Sequence, residues 1–182
     1  MALTEAILVS LMGSLCTGYD LAKQFDGSVG FFWKASHQQI YHELAKLEAQ
    51  GWISAQTIPQ AGRPDKKLYR VTELGQKQIV EWIARPCEPM PTKDELLVKL
   101  RAGYLVPRQV MVEELERHRK LHLKKLSVYQ DLEQHYSQNI QELPQDAKFR
   151  YLVLRRAIHY ETDWLAWYDE VIQVLGSDII PY

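Results

Sequence analysis

The chain has 182 residues, 46% of them hydrophobic and 25% charged, with a formal net charge of -1. That length suits one large or two small domains, each with its own core, and the composition is that of a soluble globular protein. Near-neutrality excludes no partner class, nucleic acid included, because a local patch counts for more than the total.

Two cysteines, Cys16 and Cys87, exclude a disulfide framework and suit a reducing cytoplasm. The apolar run after Glu5 is too short for a membrane span, and the N-terminus has no basic n-region. A cytoplasmic protein with no membrane partner is therefore expected.

Leu3, Ile7, Leu11 and Leu15 recur at helical spacing and predict a first helix from about Thr4 to Leu15. Thr17-Gly-Tyr-Asp20 fits a capping box, opening a second helix that turns Leu21 and Phe25 inward and ends near Asp26-Gly27. Ser36-His-Gln-Gln39 fits a second box, and Gly51 supplies the left-handed residue that stops this third helix. Ile40, Leu44 and Leu47 share one side of it. Gln38, His42, Ala45 and Ala49 share the other, flanked by Tyr41 and Lys46, with no acid at the centre. A solvated face more commonly carries Glu and Lys throughout. Small residues beside amides and an aromatic suit a helix that enters a groove, where glutamine bonds a base edge and alanine permits close approach.

Trp52-Ile53 begin a strand, and 60-QAGRPDKKLYRV-71 reads as a hairpin whose tip is Gly62-Arg63-Pro64-Asp65. Arg63, Lys66, Lys67 and Arg70 stand there against Asp65 alone. Lysines on an edge strand also discourage aggregation, but that does not account for the Arg63-Pro64 tip beside a capped, acid-poor helix. Thr72 caps a fourth helix through Gln76, Ile79, Val80 and Trp82. Three helices followed by a basic β-hairpin wing describe a winged helix-turn-helix, here residues 1–85. Pro86, Pro89 and Pro91 then mark residues 86–91 as an extended linker, because proline lacks the donor and the free φ that a helix needs.

Residues 92–182 read as all-helical. From about Pro107 to Tyr136 runs a long charged helix with a sparse stripe at Leu115, Leu126 and Tyr129. In the last helix Phe149, Val153, Ala157, Tyr160, Trp164, Trp167, Val171 and Leu175 step by three or four, and Leu152, Ile158, Leu165 and Tyr168 widen the stripe. So wide an apolar arc must bury more than one side. A second copy is the expected partner, giving a homodimer with two-fold symmetry through Leu115, Tyr160, Trp164, Trp167 and Val171. The aromatic cluster is read as packing. His118 and His122 have a metal-sharing spacing, but no third ligand accompanies them, so they are expected to be solvated, with no metal and no cofactor. Cys16 reads as a small core group and Cys87 as an exposed thiol. There is no glycine-rich phosphate loop and no nucleophile elbow, so catalysis is not expected.

Three stretches, 17-TGYDLAKQF-25, 31-FFWKASHQQIYHELAKLEAQGWI-53 and 62-GRPDKKLYRVTELG-75, resemble the PadR family of transcriptional regulators. The FWKASHQQ run looks most like its AphA-like branch. The likeness continues through 92-TKDELLVKLRAGYL-105 and 152-LVLRRAIHYETDWLAWYDEVIQVL-175, so it covers nearly the whole chain.

The resemblance implies a mostly α fold and a homodimer that binds an inverted-repeat operator in double-stranded DNA. Repression by blocking polymerase is the expected outcome, with activation the alternative if the bound position favours polymerase or a second regulator. Lys34, Ser36, Gln38, Gln39 and Tyr41 would belong to the recognition helix, residues 36–50. Arg63, Lys66 and Lys67 would belong to the wing, residues 60–70. His42 departs from the arginine associated with that position, which puts a backbone contact there in doubt or makes it pH-sensitive. In this reading Gln38 and Gln39 are candidates for base edges, while Lys34, Ser36 and Tyr41 contact phosphates. Arg63 enters a minor groove, and Lys66 and Lys67 neutralise phosphates. Some members of the family respond to phenolic acids or flat aromatic compounds; a small aromatic effector is left unassigned here. The alternatives are a winged-helix module that binds protein, or a ligand sensor without tight DNA binding.

Overall fold

The computed structural model describes residues 2–13, 15–26, 29–31, 33–60, 62, 65–89, 93–136 and 139–176. The chain divides into two compact units, Met1–Met90 and Pro91–Tyr182. Among the described residues no helix is long and apolar enough to cross a membrane.

The first unit runs α1 (Ala2–Leu11), β1 (Cys16–Thr17), α2 (Gly18–Asp26), α3 (His37–Ala49), β2 (Ile53–Ile58), β3 (Lys66–Val71) and α4 (Glu73–Ile83). Helix α1 ends at Leu11, not at the predicted Leu15, which is 53% exposed. Gly13 is a poor helix former, and the chain beyond it joins a ladder instead. Cys16 pairs with Tyr69 and Thr17 with Leu68, so the backbone groups of β1 are satisfied by β3. The sheet is therefore three-stranded and antiparallel, in the order β1-β3-β2, where the sequence suggests only a hairpin. Cys16 is buried, as expected, but on a strand.

Strand β1 hands over directly to α2. The Asp20 N–H donates to Thr17 Oγ1 at 3.1 Å, and Asp20 Oδ2 accepts from the Thr17 hydroxyl at 2.6 Å and its N–H at 3.3 Å. Ile7, Leu8 and Leu11 of α1 meet Leu21, Ala22 and Phe25 of α2, with Ile40, Leu44 and Leu47 of α3 beneath. Ile53, Tyr69, Val71 and Ile79 close the core from the sheet and α4.

At the end of α3, Gly51 takes φ +71°, its N–H donates to Glu48 O, and the Trp52 N–H donates to Leu47 O, both at 3.0 Å. This Schellman closure turns the chain into β2. Thr72 then ties the two helix ends together. Its hydroxyl donates to Gly51 O at 2.7 Å, its N–H donates to Trp52 O at 3.0 Å, and its Oγ1 accepts from the Gly75 N–H at 3.2 Å. Gly75 lies so close to the Trp52 carbonyl that no side chain fits there. Strands β2 and β3 pair from Ile53↔Val71 to Ile58↔Lys66. Gly62 at the wing tip has φ +72°. Arg63 and Pro64 lie outside the described residues.

The second unit contains α5 (Glu95–Arg101), α6 (Arg108–Glu133) and α7 (Gln145–Gly176). Asp94 caps α5 by accepting from the Leu96 N–H at 2.9 Å. Pro107 precedes α6. The core joins Leu96, Leu115 and Tyr168, flanked by Trp164, Trp167 and Val171.

Three expectations are corrected here. Leu115 is 0% exposed within its own unit, so it belongs to that core and presents nothing to a second copy. The buried line on α7 is Leu154, Ile158, Glu161 and Tyr168, whereas Phe149, Val153 and Tyr160 are 62%, 45% and 48% exposed. The buried line thus follows one edge of the predicted stripe: Ile158 and Tyr168 of its widened part are buried and Trp164, Trp167 and Val171 pack beside them, while its opposite edge is exposed.

The histidines are not solvated either. His122 shares the buried side of α6 with Met111, Leu115 and Tyr129. Its Nδ1 hydrogen-bonds the Glu161 carboxylate, and its ring stacks on Trp164 at 3.9 Å. Lys125 Nζ lies 3.7 Å from the other oxygen of Glu161. His118 is partly buried, 6.1 Å from Trp164. A charged helix conceals such positions because a histidine in the sequence looks like one more polar residue. Among the described residues no cluster of three or more His, Cys, Asp or Glu is placed to hold a metal ion.

Candidate nucleic-acid interface

The site is the outer side of α3 with the adjoining strand β3. Its placement starts at Ser36, where Oγ accepts from the Gln39 N–H at 3.2 Å and the Gln39 carboxamide oxygen accepts from the Ser36 N–H at 2.8 Å. This box fixes where the helix begins, and the burial of Ile40, Leu44 and Leu47 at 0% exposure fixes its rotation. Gln38, Gln39, Tyr41, His42, Ala45 and Lys46 are then all exposed.

The sequence treats the two glutamines alike, but the structure separates them. The oxygen of Gln39 is engaged in the cap, whereas among the described residues no hydrogen bond engages Gln38. Lys34, Ser36 and Gln39 line a shallow cleft of about 380 Å³ with Phe25, Asp26 and Gly30. Gln38, Tyr41 and His42, with Gln39, line a second hollow of about 530 Å³. His37 Nε2 lies 3.1 Å from Asp26 Oδ2, joining the ends of α2 and α3.

Acids beside the helix are tied down. Glu43 is turned inward, its side chain 12% exposed, accepting from the Thr4 hydroxyl and from Lys46 Nζ at 2.9 Å. Burial pushes its carboxyl up, but the hydrogen bonds from Thr4 and Lys46 and the charge of Lys46 outweigh that. The net position is below the usual carboxylate range. Glu48 holds Lys67 of β3, Nζ to Oε2 being 3.2 Å. Lys67, expected to neutralise a phosphate, is thus already paired within the chain. Lys66 and Arg70 are exposed on the same strand. The hydroxyl of Thr17 holds the Asp20 carboxyl below its ordinary value, with the Lys66 charge adding to it. The expected Arg63 contact falls outside the described residues.

Glu43, Glu48 and Thr4 are absent from the sequence-based site. Glu43 and Lys46 stand at a readable i,i+3 spacing. Glu48 and Lys67 are 19 positions apart and meet only through the turn at Gly51.

Residues 7–81 match the model of the transcriptional regulator PadR-like family, and residues 92–176 match that of the virulence activator alpha C-terminal region. A probable transcriptional regulator of Mycobacterium tuberculosis is 39% identical over 191 residues, covering 96% of this chain and 98% of the relative. The negative transcriptional regulator PadR of Bacillus subtilis is 30% identical, over 97% of this chain and 98% of its own. The structure of that PadR with operator DNA superposes with TM-score 0.80 at 30% identity, over 96% and 99% of the two chains. The Vibrio cholerae virulence activator AphA gives TM-score 0.75 at 31% identity, over 96% and 98%.

The Glu43 tie has a pH signature. A carboxyl whose folded position is depressed stabilises the fold fully above its unfolded value, here 4.5, and loses that contribution as pH falls through the folded value. Replacing Glu43 with Gln is expected to lower stability at pH 7 by about 1 kcal/mol. The gap between the two proteins closes as the medium is taken well below pH 4.5. Urea midpoints measured at neutral and acid pH check this; a gap that persists in acid would contradict the tie.

Proposed function

The chain belongs to the PadR-like family of transcriptional regulators, and from that premise we propose that it is a dimeric repressor that reads an inverted-repeat operator. Its relatives are regulators rather than enzymes. The observation that carries the proposal is the outer row of α3, where Gln38, Tyr41 and His42 are exposed while the acids beside them are tied down.

Gln38 is the base reader, since its amide is uncommitted and bonds an adenine edge in the major groove. Gln39 serves the helix start, so its role is to hold the register of the helix. Lys34, Ser36 and Tyr41 contact phosphates around it, and His42 lies on the exposed face beside them. Lys66, Lys67 and Arg63 form the wing contact. Two copies bound one helical turn apart occlude a promoter from polymerase. That the Bacillus PadR structure contains operator DNA supports this reading.

The dimer surface we assign differs in detail from the sequence reading. Trp164, Trp167 and Val171 pack on their own core, whereas Phe149, Leu152, Val153 and Tyr160 form an exposed line on α7. Such an exposed apolar line marks an interface, and two-fold pairing lets it cover itself. Arg156 lies over the Tyr160 ring, 5.8 Å from its centroid, and shields the middle of the line.

Titration of the protein against its own upstream DNA at several salt concentrations tests the main reading. Preference over scrambled DNA with a steep salt slope is expected; equal or absent binding would favour the protein-interaction alternative. Gln38→Ala should lose about 1–3 kcal/mol of discrimination at one base position per half-site. Replacing Glu48 with Gln releases Lys67, so affinity for any DNA should rise and the logarithmic salt slope should steepen by about one; a flatter slope would mean that Glu48 instead aims Lys67 at the DNA. Val153→Glu should yield monomers by light scattering, with folding intact, and a dimer that survives it would move the interface elsewhere.

A further inference from the structure

Gly18 is a glycine that its own backbone does not require. Among the described glycines positive φ occurs only at Gly51 and Gly62, so Gly18 has ordinary helical backbone in the first turn of α2. Glycine is less favourable there than alanine. The position is nonetheless buried. What covers it is Tyr41 of α3. A Cβ at Gly18 would stand 2.5 Å from Tyr41 Cε1, 3.0 Å from Cζ and 3.2 Å from Cδ1.

Non-bonded carbons rest at roughly 3.5–4.0 Å, so a side chain at 18 and the Tyr41 ring cannot share this space. The near atoms belong to one edge of the ring, out to the carbon that bears the hydroxyl. Tyr41 is 48% exposed, so its ring can swing outward without opening the core. In its present position its hydroxyl has no hydrogen-bond partner among the described residues. A bare backbone therefore forms a slot for an aromatic ring whose polar end is left unpaired beside Gln38 and His42.

We propose that Gly18 is a positioning residue for DNA recognition, its missing side chain seating the Tyr41 ring so that the hydroxyl is aimed at a phosphate oxygen of the bound duplex. The inference rests on the DNA-binding reading above. Seating the ring beforehand removes the rotamer freedom that would otherwise be lost on binding. It also couples α2 to α3, because the ring spans the first turn of one and the outer face of the other.

The test is a double-mutant cycle on the full chain, read as anisotropy of its labelled upstream DNA, with wild type, Gly18→Ala, Tyr41→Phe and the double variant. Each single change should weaken binding by about tenfold, the effect of losing a hydrogen bond to a charged group. The double should bind no worse than either single, and the thermal midpoint of Gly18→Ala should be unchanged or raised. Losses that multiply, or a Gly18→Ala protein that binds like wild type, overturn the proposal. If Gly18→Ala does not fold, Gly18→Ala with Tyr41→Ala must fold, since no ring then meets the Cβ; failure of both removes the slot. Wild-type protein that binds no DNA removes the DNA reading itself, whereas wild-type binding with independent losses removes only the role of Gly18.

Discussion

The rotation of α3 about its own axis governs most of what this protein presents to its surroundings. Ile40, Leu44 and Leu47 are completely buried, and each such side chain contributes about 1.5–3 kcal/mol through removal from water. Turning the helix by one residue would move Tyr41 toward the core and Ile40 toward solvent, so the apolar triad allows a single orientation. The Ser36–Gln39 box fixes its start, and the turn at Gly51, locked to Thr72, fixes its end. With rotation and both ends set, Gln38, Tyr41 and His42 face outward together.

Charge on that outer face is managed by pairing. Glu43 is drawn inward by Thr4, and Glu48 is held by Lys67, so neither carboxylate stands free to repel a polyanion. An exposed pair like Glu48–Lys67 adds little stability, at most about 1 kcal/mol. In the proposed DNA complex its effect is on binding, because a lysine already neutralised within the chain releases fewer counterions when a phosphate arrives. Under the proposed reading, non-specific affinity is thereby held down and discrimination is left to contacts such as Gln38. Specificity in a regulator depends on that difference more than on tightness alone.

In the second unit a polar pair occupies a place where an apolar one would pack. His122 and Glu161 meet across α6 and α7 with Trp164 stacked on the imidazole. Tyr168 adds a second polar link between the helices, its hydroxyl donating to Glu116 at 2.6 Å. A buried pair of this kind adds little net stability but penalises a slipped register, because a slip strands both groups without partners. Two long helices with mixed stripes need such a registration device, and the sparse Leu115–Tyr129 line of α6 leaves room for it.

The sequence by itself determined the elements whose causes are local. Capping boxes at Thr17 and Ser36, the stop at Gly51, the inward triad of α3 and the basic hairpin all follow from neighbours within a few positions, and family motifs lie on the same stretches. Only the tertiary structure decided matters that depend on partners distant in the chain. Strand β1 forms because β3 is there to pair with it, which no spacing around Leu15 records. Gln39 parts from Gln38 through the geometry of one cap. Lys67 meets Glu48, His122 meets Glu161, and Gly18 meets Tyr41 only after turns have folded back. The α7 stripe shows the same division: its helical period was legible, but which arc faces α6 was not, since an apolar arc wide enough for two partners does not say which of them is its own chain.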